Sequence, residues 1–466
     1  MDPLARTFNL KDYGAVSDGR TTNTGAIRKA IDACSASGGG TVLFPPGTCL
    51  TGPIQLASNV NLQVASGAKV VFSRDFDDYP LVPIRWQGFD GASCMPLLYG
   101  RGLENISITG EGTFDGSGDA WRPVKKFKLT QAQWAALVQS GGVVDDDHGM
   151  WWPTRAALEG HEAMLKLMHE GRPVRLEDLA GHRDHLRPVM VGLHECRGVL
   201  LDGPTFVNPP LWTIHPLMCE DVTVRNIKVR NPWHASNGDG LNPDACRNVL
   251  IEDCFFSTGD DCIALNAGRD RRGRPCEDIV IRNCHMERGH GGVVIGSCMS
   301  GGVRRVHVHD CTFAGTDIGL RFKTVRGRGG TVEDIRINDI TMSGVRGEAI
   351  RFNMCYMVSD PRTHPQPEPV TTGTPRFRNF HISRIHCAEA KTAIWIRGLG
   401  EMPIENVVFE DVSIAAENGV SIENAKDVTL KRVHVKAKNH PVLQCENVVN
   451  LVRDGFTHEG EVQDDP

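Results

Sequence analysis

Between Asn237 and Lys323 the chain places five polar landmarks at near-regular intervals. They are Asp244, the pair Asp260–Asp261, His290, Arg321 and Lys323, set in NGDGLNPDAC, STGDDCIALNAG, ERGHGGVVIGS and TDIGLRFKT. Asp260 to His290 is 30 residues and His290 to Arg321 is 31. A step of one structural repeat per member suggests side chains stacked on successive turns of a solenoid. Three carboxylates brought that close cannot all keep ordinary pKa values; repulsion raises at least one and makes it a proton donor, while another activates water. An acid and a base flanking one bond are the minimal equipment for glycoside hydrolysis. Arg321 and Lys323 beside them suit an anionic sugar, because a guanidinium grips a carboxylate with two N–H bonds. His290 is placed to tune the proton donor or touch the sugar.

Such a stack needs a scaffold with one register, and the sequence supplies it. Strands with apolar residues at alternate positions begin at residues 199, 222, 249, 279, 306, 335, 380, 407 and 428, each followed in most copies by Asn or Asp and then an apolar residue or Cys. A second strand follows many of them: CIALN, GVVIG, IGLRFK, EAIRF, TAIWI and GVSIE. Period-2 strands repeating every 20–30 residues without an obligatory helix predict an all-β fold, a parallel β-helix. In such strands Leu241 and Pro243 face in, leaving Asn242 and Asp244 outward. Leu320 and Phe322 face in, leaving Arg321 and Lys323 outward. Coils are about 4.8 Å apart, so three or four of them span one or two sugar rings.

Before the repeat, Ile27, Ala30, Ile31 and Cys34 follow helical spacing, with Asn23 or Thr24 as candidate cap; a helix here would cover the open first coil across residues 8–40. Residues 119–188 break the strand pattern and predict two helices, one capped by Thr130, in a loop insertion that shapes a cleft, makes an oligomer contact or merely decorates. Residues 359–375 read as a Pro-rich surface loop. The whole, residues 1–466, reads as a single catalytic domain.

Composition narrows the function classes. The chain has 466 residues, 40% hydrophobic, only 6% aromatic, with 50 Gly and a net charge of −6. That excludes a global basic footprint for nucleic acid, so an anion must be met by a local cluster: Arg288, His290, Arg321, Lys323, Arg326 and Arg328 form one in sequence. Fifteen Cys in a chain this long are not a disulfide scaffold; Cys254, Cys284 and Cys311 recur at equivalent positions and should stack as reduced thiols inside the coil, with no metal site and no cofactor implied. No 18-residue apolar run and no secretion-type leader occur, which gives the expectation of no membrane partner and a cytoplasmic location for the sequence as it stands, or a periplasmic or secreted one if a leader has been trimmed.

The motifs NPD at 242–244, GDD at 259–261, GHG at 289–291 and RFK at 321–323 resemble, in order, the NTD, DD, GHG and RIK signatures of family 28 glycoside hydrolases, the polygalacturonases and their relatives. YGAVSDG, the NTGAIRKAIDAC helix and GGGTVLFPPG also resemble that family, and the likeness covers roughly residues 8–450. It implies a right-handed, single-stranded parallel β-helix that hydrolyses α-1,4-galacturonosidic bonds of a galacturonic-acid-containing saccharide with inversion and without metal. It implies Asp260 as general acid and Asp244 with Asp261 as the holders of the attacking water. His290, Arg321 and Lys323 would bind the sugar next to the cleaved bond, with Asn242 in support. Phe322 in place of Ile is an inward packing change. The insertion and Pro-rich loop are similar to those of bacterial exo-acting members, which would release galacturonic acid from chain ends. Alternatives are a rhamnogalacturonan or substituted-galacturonan hydrolase, a Ca²⁺-dependent pectate lyase and a non-catalytic polysaccharide-binding β-helix. Tyr356 is a further candidate for the cleft.

Overall fold

The computed structural model describes residues 6–86, 89–170, 178, 181–268, 274–356 and 366–459. The chain forms two compact units: residues 1–242 with 257–260, and residues 243–256 with 261–466.

In the first unit, strands Gly40–Phe44, Val60–Val64, Glu104–Thr109, Arg197–Asp202 and Glu220–Arg225 pair in parallel, Val199 facing Val222. Two further parallel rows complete the coils. One runs Gly47–Thr51, Ala68–Phe72, Thr113–Asp115, Thr205–Val207 and Lys228–Arg230. The other runs Ile54–Gln55, Leu98–Arg101, Val191–His194 and Ile214–Leu217, and Ile214 continues it to Leu241. Helix α1, Thr24–Ala36, buries Ile27, Ala30, Ile31 and Cys34 as its spacing requires. Asn23 stands at the N-cap position without capping; its side chain instead bonds the backbone of Val16, Thr21 and Leu50 and so clasps the first coil.

The 119–188 insertion is only partly helical. Helix α2, Gln131–Gln139, starts with the expected Thr130, completed as a reciprocal capping box by Gln133, yet buries none of its residues. Helix α3, Arg155–Glu170, packs Ala157 and Leu158 against Trp152. The insertion also holds an antiparallel sheet of Val124–Lys125, which precedes α2, with Met150–Trp152 and Val143–Asp145, which lie between the helices; the helical reading did not include it. A second antiparallel pair, Leu81–Trp86 with Phe89–Cys94, was likewise unread. Among the described residues no helix is long and apolar enough to cross a membrane.

In the second unit the predicted register is met row by row: Val249 faces Ile279, then Val306, Ile335, Phe380 and Val407. The second strands align too, from Ile263 through Val293, Leu320, Ile350 and Ile394 to Val420. One more coil, Leu443–Asp454 with Thr457–Glu459, follows the last strand read from sequence. The recurrent Asn and Asp have a definite cause. Asp253, Asn283, Asp310, Asp339 and Asp411 all turn the corner at φ between +50° and +58°, a left-handed region that Asn and Asp tolerate better than other non-glycine residues. Cys254, Cys284 and Cys311 are buried free thiols as expected, and only Cys445 of the fifteen is exposed. Phe322 stacks on Phe352 of the next coil at 4.4 Å, so the bulkier side chain is matched by its register neighbour. Part of the Pro-rich loop, residues 359–365, lies outside the described residues.

Candidate active site

Each unit carries part of the chemistry. In the first, the loop 231–239 follows strand Lys228–Arg230 and is pinned from below. Asn231, buried, bonds the Ser257 carbonyl with its N–H at 2.8 Å, and the Thr213 hydroxyl and Gly238 carbonyl with its side chain, each at 2.9 Å. Thr213, without exposure, donates its N–H and hydroxyl to the Asp239 carbonyl at 2.9 and 2.7 Å. Asn242 then donates its amide to Asp239 Oδ2 at 3.0 Å. So fixed, Asp239 presents a carboxylate oxygen within 4.8 Å of one on Asp260.

Asp260 follows a glycine for a steric reason. A Cβ on Gly259 would meet the Ala235 and Pro232 carbonyls at 2.5 and 2.7 Å, so only glycine lets this turn nest against the 231–239 loop. The Thr258 hydroxyl closes the turn on the Asp260 carbonyl at 2.6 Å. The insertion reaches the same turn. Lys128, 9% exposed, donates to the Gly259 carbonyl at 2.7 Å and lies 4.5 Å from the Trp233 ring centroid. Arg187, whose pKa burial pushes down to about 10, donates to the Ser236 carbonyl and to Asn237 Oδ1, each at 2.9 Å. The insertion therefore braces the loops that carry Asp239 and Asp260.

In the second unit Asp261, 3% exposed, is the anion of two charge-assisted bonds: Arg321 Nη1 to Oδ1 at 3.1 Å and Lys323 Nζ to Oδ2 at 2.7 Å. Gly291 makes room for this clamp, because a Cβ there would lie 3.2 Å from Asp261 Oδ1 and 2.4 Å from Val294 Cγ2. Tyr356 joins the group, with Arg321 and Lys323 at 5.6 and 5.2 Å from its ring centroid. His290 is part-exposed, its Nε2 3.8 Å from Asp317.

Two expectations need correction. Asn242 and Asp244 do not face solvent: they are 1% and 0% exposed. Asn242 is turned to Asp239, as above, and Asp244 is covered where its Oδ1 accepts the Gly268 N–H at 3.0 Å, beside its bridge partner Asn266. Among the described residues the acids whose carboxylate oxygens converge are Asp239, Asp260 and Asp261, and Asp244 is not one of them. Asp239, missed in sequence, is the carboxylate that meets Asp260. A signal for it was present, since Asn237-Gly-Asp239 has the same Asn-x-Asp form as Asn242-Pro-Asp244. The second correction concerns the basic cluster. Arg326 is taken up by Glu401, with bonds of 2.6 and 2.8 Å, and by Gln366 at the near end of the Pro-rich loop; it fastens that loop to the coil.

Comparison with known proteins places the fold and the sequence in a family. Residues 170–438 match the model of glycosyl hydrolases family 28, and residues 7–75 match that of rhamnogalacturonase A/epimerase, pectate lyase-like. A probable polygalacturonase of Vitis vinifera is 27% identical over 88% of this chain and 74% of its own. An exo-poly-alpha-D-galacturonosidase of Dickeya chrysanthemi is 25% identical over 91% and 70%. Among solved structures, the hyperthermoactive exopolygalacturonase of Thermotoga maritima superposes with a TM-score of 0.72 at 31% identity, over 97% of this chain and 92% of that one. The family 28 exopolygalacturonase of Yersinia enterocolitica, 22% identical over 96% and 78%, shares the fold with a TM-score of 0.73. The right-handed parallel β-helix with its ordered Asp-Asp, Gly-His-Gly and Arg-x-Lys motifs is thus that of a glycoside hydrolase, and the chain belongs to glycosyl hydrolases family 28.

Proposed function

We propose that this enzyme hydrolyses the α-1,4 bonds of polygalacturonan and its oligosaccharides from chain ends, releasing galacturonic acid with inversion. Asp260 protonates the glycosidic oxygen. Asp239 and Asp261 take the attacking water: Asp239 is held by Asn242 and Thr213, Asp261 by Arg321 and Lys323. The role of water holder passes from Asp244 to Asp239. Arg321, Lys323 and His290 bind the sugar beside the cleaved bond. The Asp239–Asp260 pair is the observation that carries this reading, and the names of the relatives support both the galacturonan substrate and the exo mode.

Carboxylate oxygens within 4.8 Å of one another can share one water, but inverting enzymes ordinarily separate their carboxyl groups by about 6.5–9.5 Å. Stereochemistry is therefore the sharpest test. Digestion of oligogalacturonides of defined length, followed by proton NMR, should show monomer from the first time point, and as the β-anomer before mutarotation. An initial α-anomer would make one carboxylate a nucleophile and overturn the water-holding roles; mixed oligomers at first sampling would overturn the exo mode.

A further inference from the structure

The row that carries Arg321 continues beyond it. Arg321 faces Arg351 on the next coil, and Arg351 faces Trp395 on the one after. All three are part-exposed, on the outward side of strands whose alternate residues, Ile350, Phe352, Ile394 and Ile396, fill the core. The Arg351 guanidinium lies 4.7 Å from the Trp395 ring centroid. Its ion pair with Glu348, on its own strand, is long at 3.5 Å, whereas Arg321 and Lys323 hold Asp261 at 3.1 and 2.7 Å. Burial lowers the pKa of Arg351, and the like charge of Arg321 adds to that, against the pull of Glu348. Two guanidiniums one coil apart, the outer one loosely paired, make a local excess of positive charge facing out. A guanidinium over an indole face keeps N–H donors available to a carboxylate.

We propose that Arg351, positioned by Trp395, binds the carboxylate of the uronic acid residue one further along the substrate from the sugar held at Arg321 and Lys323. The coil spacing of about 4.8 Å sets one cation per sugar, so the retained part of the chain runs over the coils that carry Ile350 and Ile394. This rests on the galacturonan reading above and adds to it a second site that selects a free, unesterified acid.

The test compares kcat/KM on digalacturonate and trigalacturonate for the wild type, Arg351→Gln, Arg351→Lys and Trp395→Leu. Losing one charge-assisted bond to a carboxylate should cost about 10- to 100-fold. Arg351→Gln should show that loss on the trimer relative to the dimer, chiefly in KM, with Arg351→Lys recovering part of it and Trp395→Leu following in the same direction. Equal loss on both substrates would reduce the pair to a structural contact and overturn the site alone. Cleavage of neither substrate by the wild type would overturn the function beneath it.

Discussion

The assignment of the third carboxylate can be decided by two conservative substitutions. Asp239→Asn keeps the shape of a side chain whose Oδ2 accepts from Asn242 at 3.0 Å, so Asn can still accept that bond and the fold should lose little. It removes the proton acceptor facing Asp260, and general base catalysis contributes about 10²- to 10⁴-fold, or roughly 3–5 kcal/mol of barrier. Asp244→Asn acts elsewhere. That carboxylate has no exposure and accepts the Gly268 N–H at 3.0 Å. A hydrogen bond to a buried charge contributes about 1.5–3 kcal/mol, and the new amide must find an acceptor of its own. The expected outcome is a split. Asp239→Asn should lose at least about 100-fold in kcat on trigalacturonate with its urea midpoint little changed. Asp244→Asn should unfold at lower urea by about 1–3 kcal/mol and keep most of its kcat per folded molecule. An Asp244→Asn variant as stable as the wild type and inactive, or an active Asp239→Asn variant, would refute the assignment.

Three further outcomes can be measured. The rate should be bell-shaped in pH with an optimum on the acidic side of neutral, because Asp260 must be protonated while Asp239 and Asp261 are ionised. The rate should also survive chelators without an ultraviolet-absorbing product, whereas a rate that climbs into alkaline pH would point to a lyase. Lys128→Met should lower kcat more than it raises KM, by about 10-fold or more, since it frees the Gly259 carbonyl that fixes the Asp260 turn. Lys128→Arg should restore part of that loss; a Lys128→Met variant with wild-type kcat would leave the insertion a decoration.

The scaffold was legible because a coil buries alternate residues and repeats. Val249, Ile279, Val306 and Ile335 announce one row by chemistry alone, and the αL corners favour Asn or Asp at fixed offsets, with Arg384 and Arg432 at two of them. Arg321 and Lys323 were legible for the same reason, being two residues apart on one strand and alternating with Leu320 and Phe322. Asp239, which the sequence reading passed over for Asp244, was not legible that way. Asp239 sits in a loop held by Thr213, 26 residues away, and by Asn231, and neither bond leaves a periodic trace. The short antiparallel sheet of the insertion escaped because strands of two or three residues are too brief for alternation to register. The last coil escaped for a physical reason as well: Leu443–Asp454 is largely exposed, so its pattern is weak.

The structure also divides the labour of the Arg321–Lys323 pair, which sequence treats as equivalent. Both hold Asp261, and both carry more N–H donors than that bond uses: five on a guanidinium, three on an ammonium. Lys323 has the shorter bond, 2.7 Å, with 9% of its side chain exposed; Arg321 has the longer, 3.1 Å, with 14%. A buried ammonium is costly to leave unpaired, so Lys323 is committed to Asp261 whether or not sugar is bound. Arg321 can keep one N–H on Asp261 and turn another edge to a carboxylate. In the proposed mechanism the uronate thus need not pull the clamp apart to bind, and Asp261 stays in place as the substrate arrives. That arrangement explains why the same strand can serve both the water and the sugar: the alternation that sets Arg321 and Lys323 side by side also lets one of them remain fixed while the other reaches out.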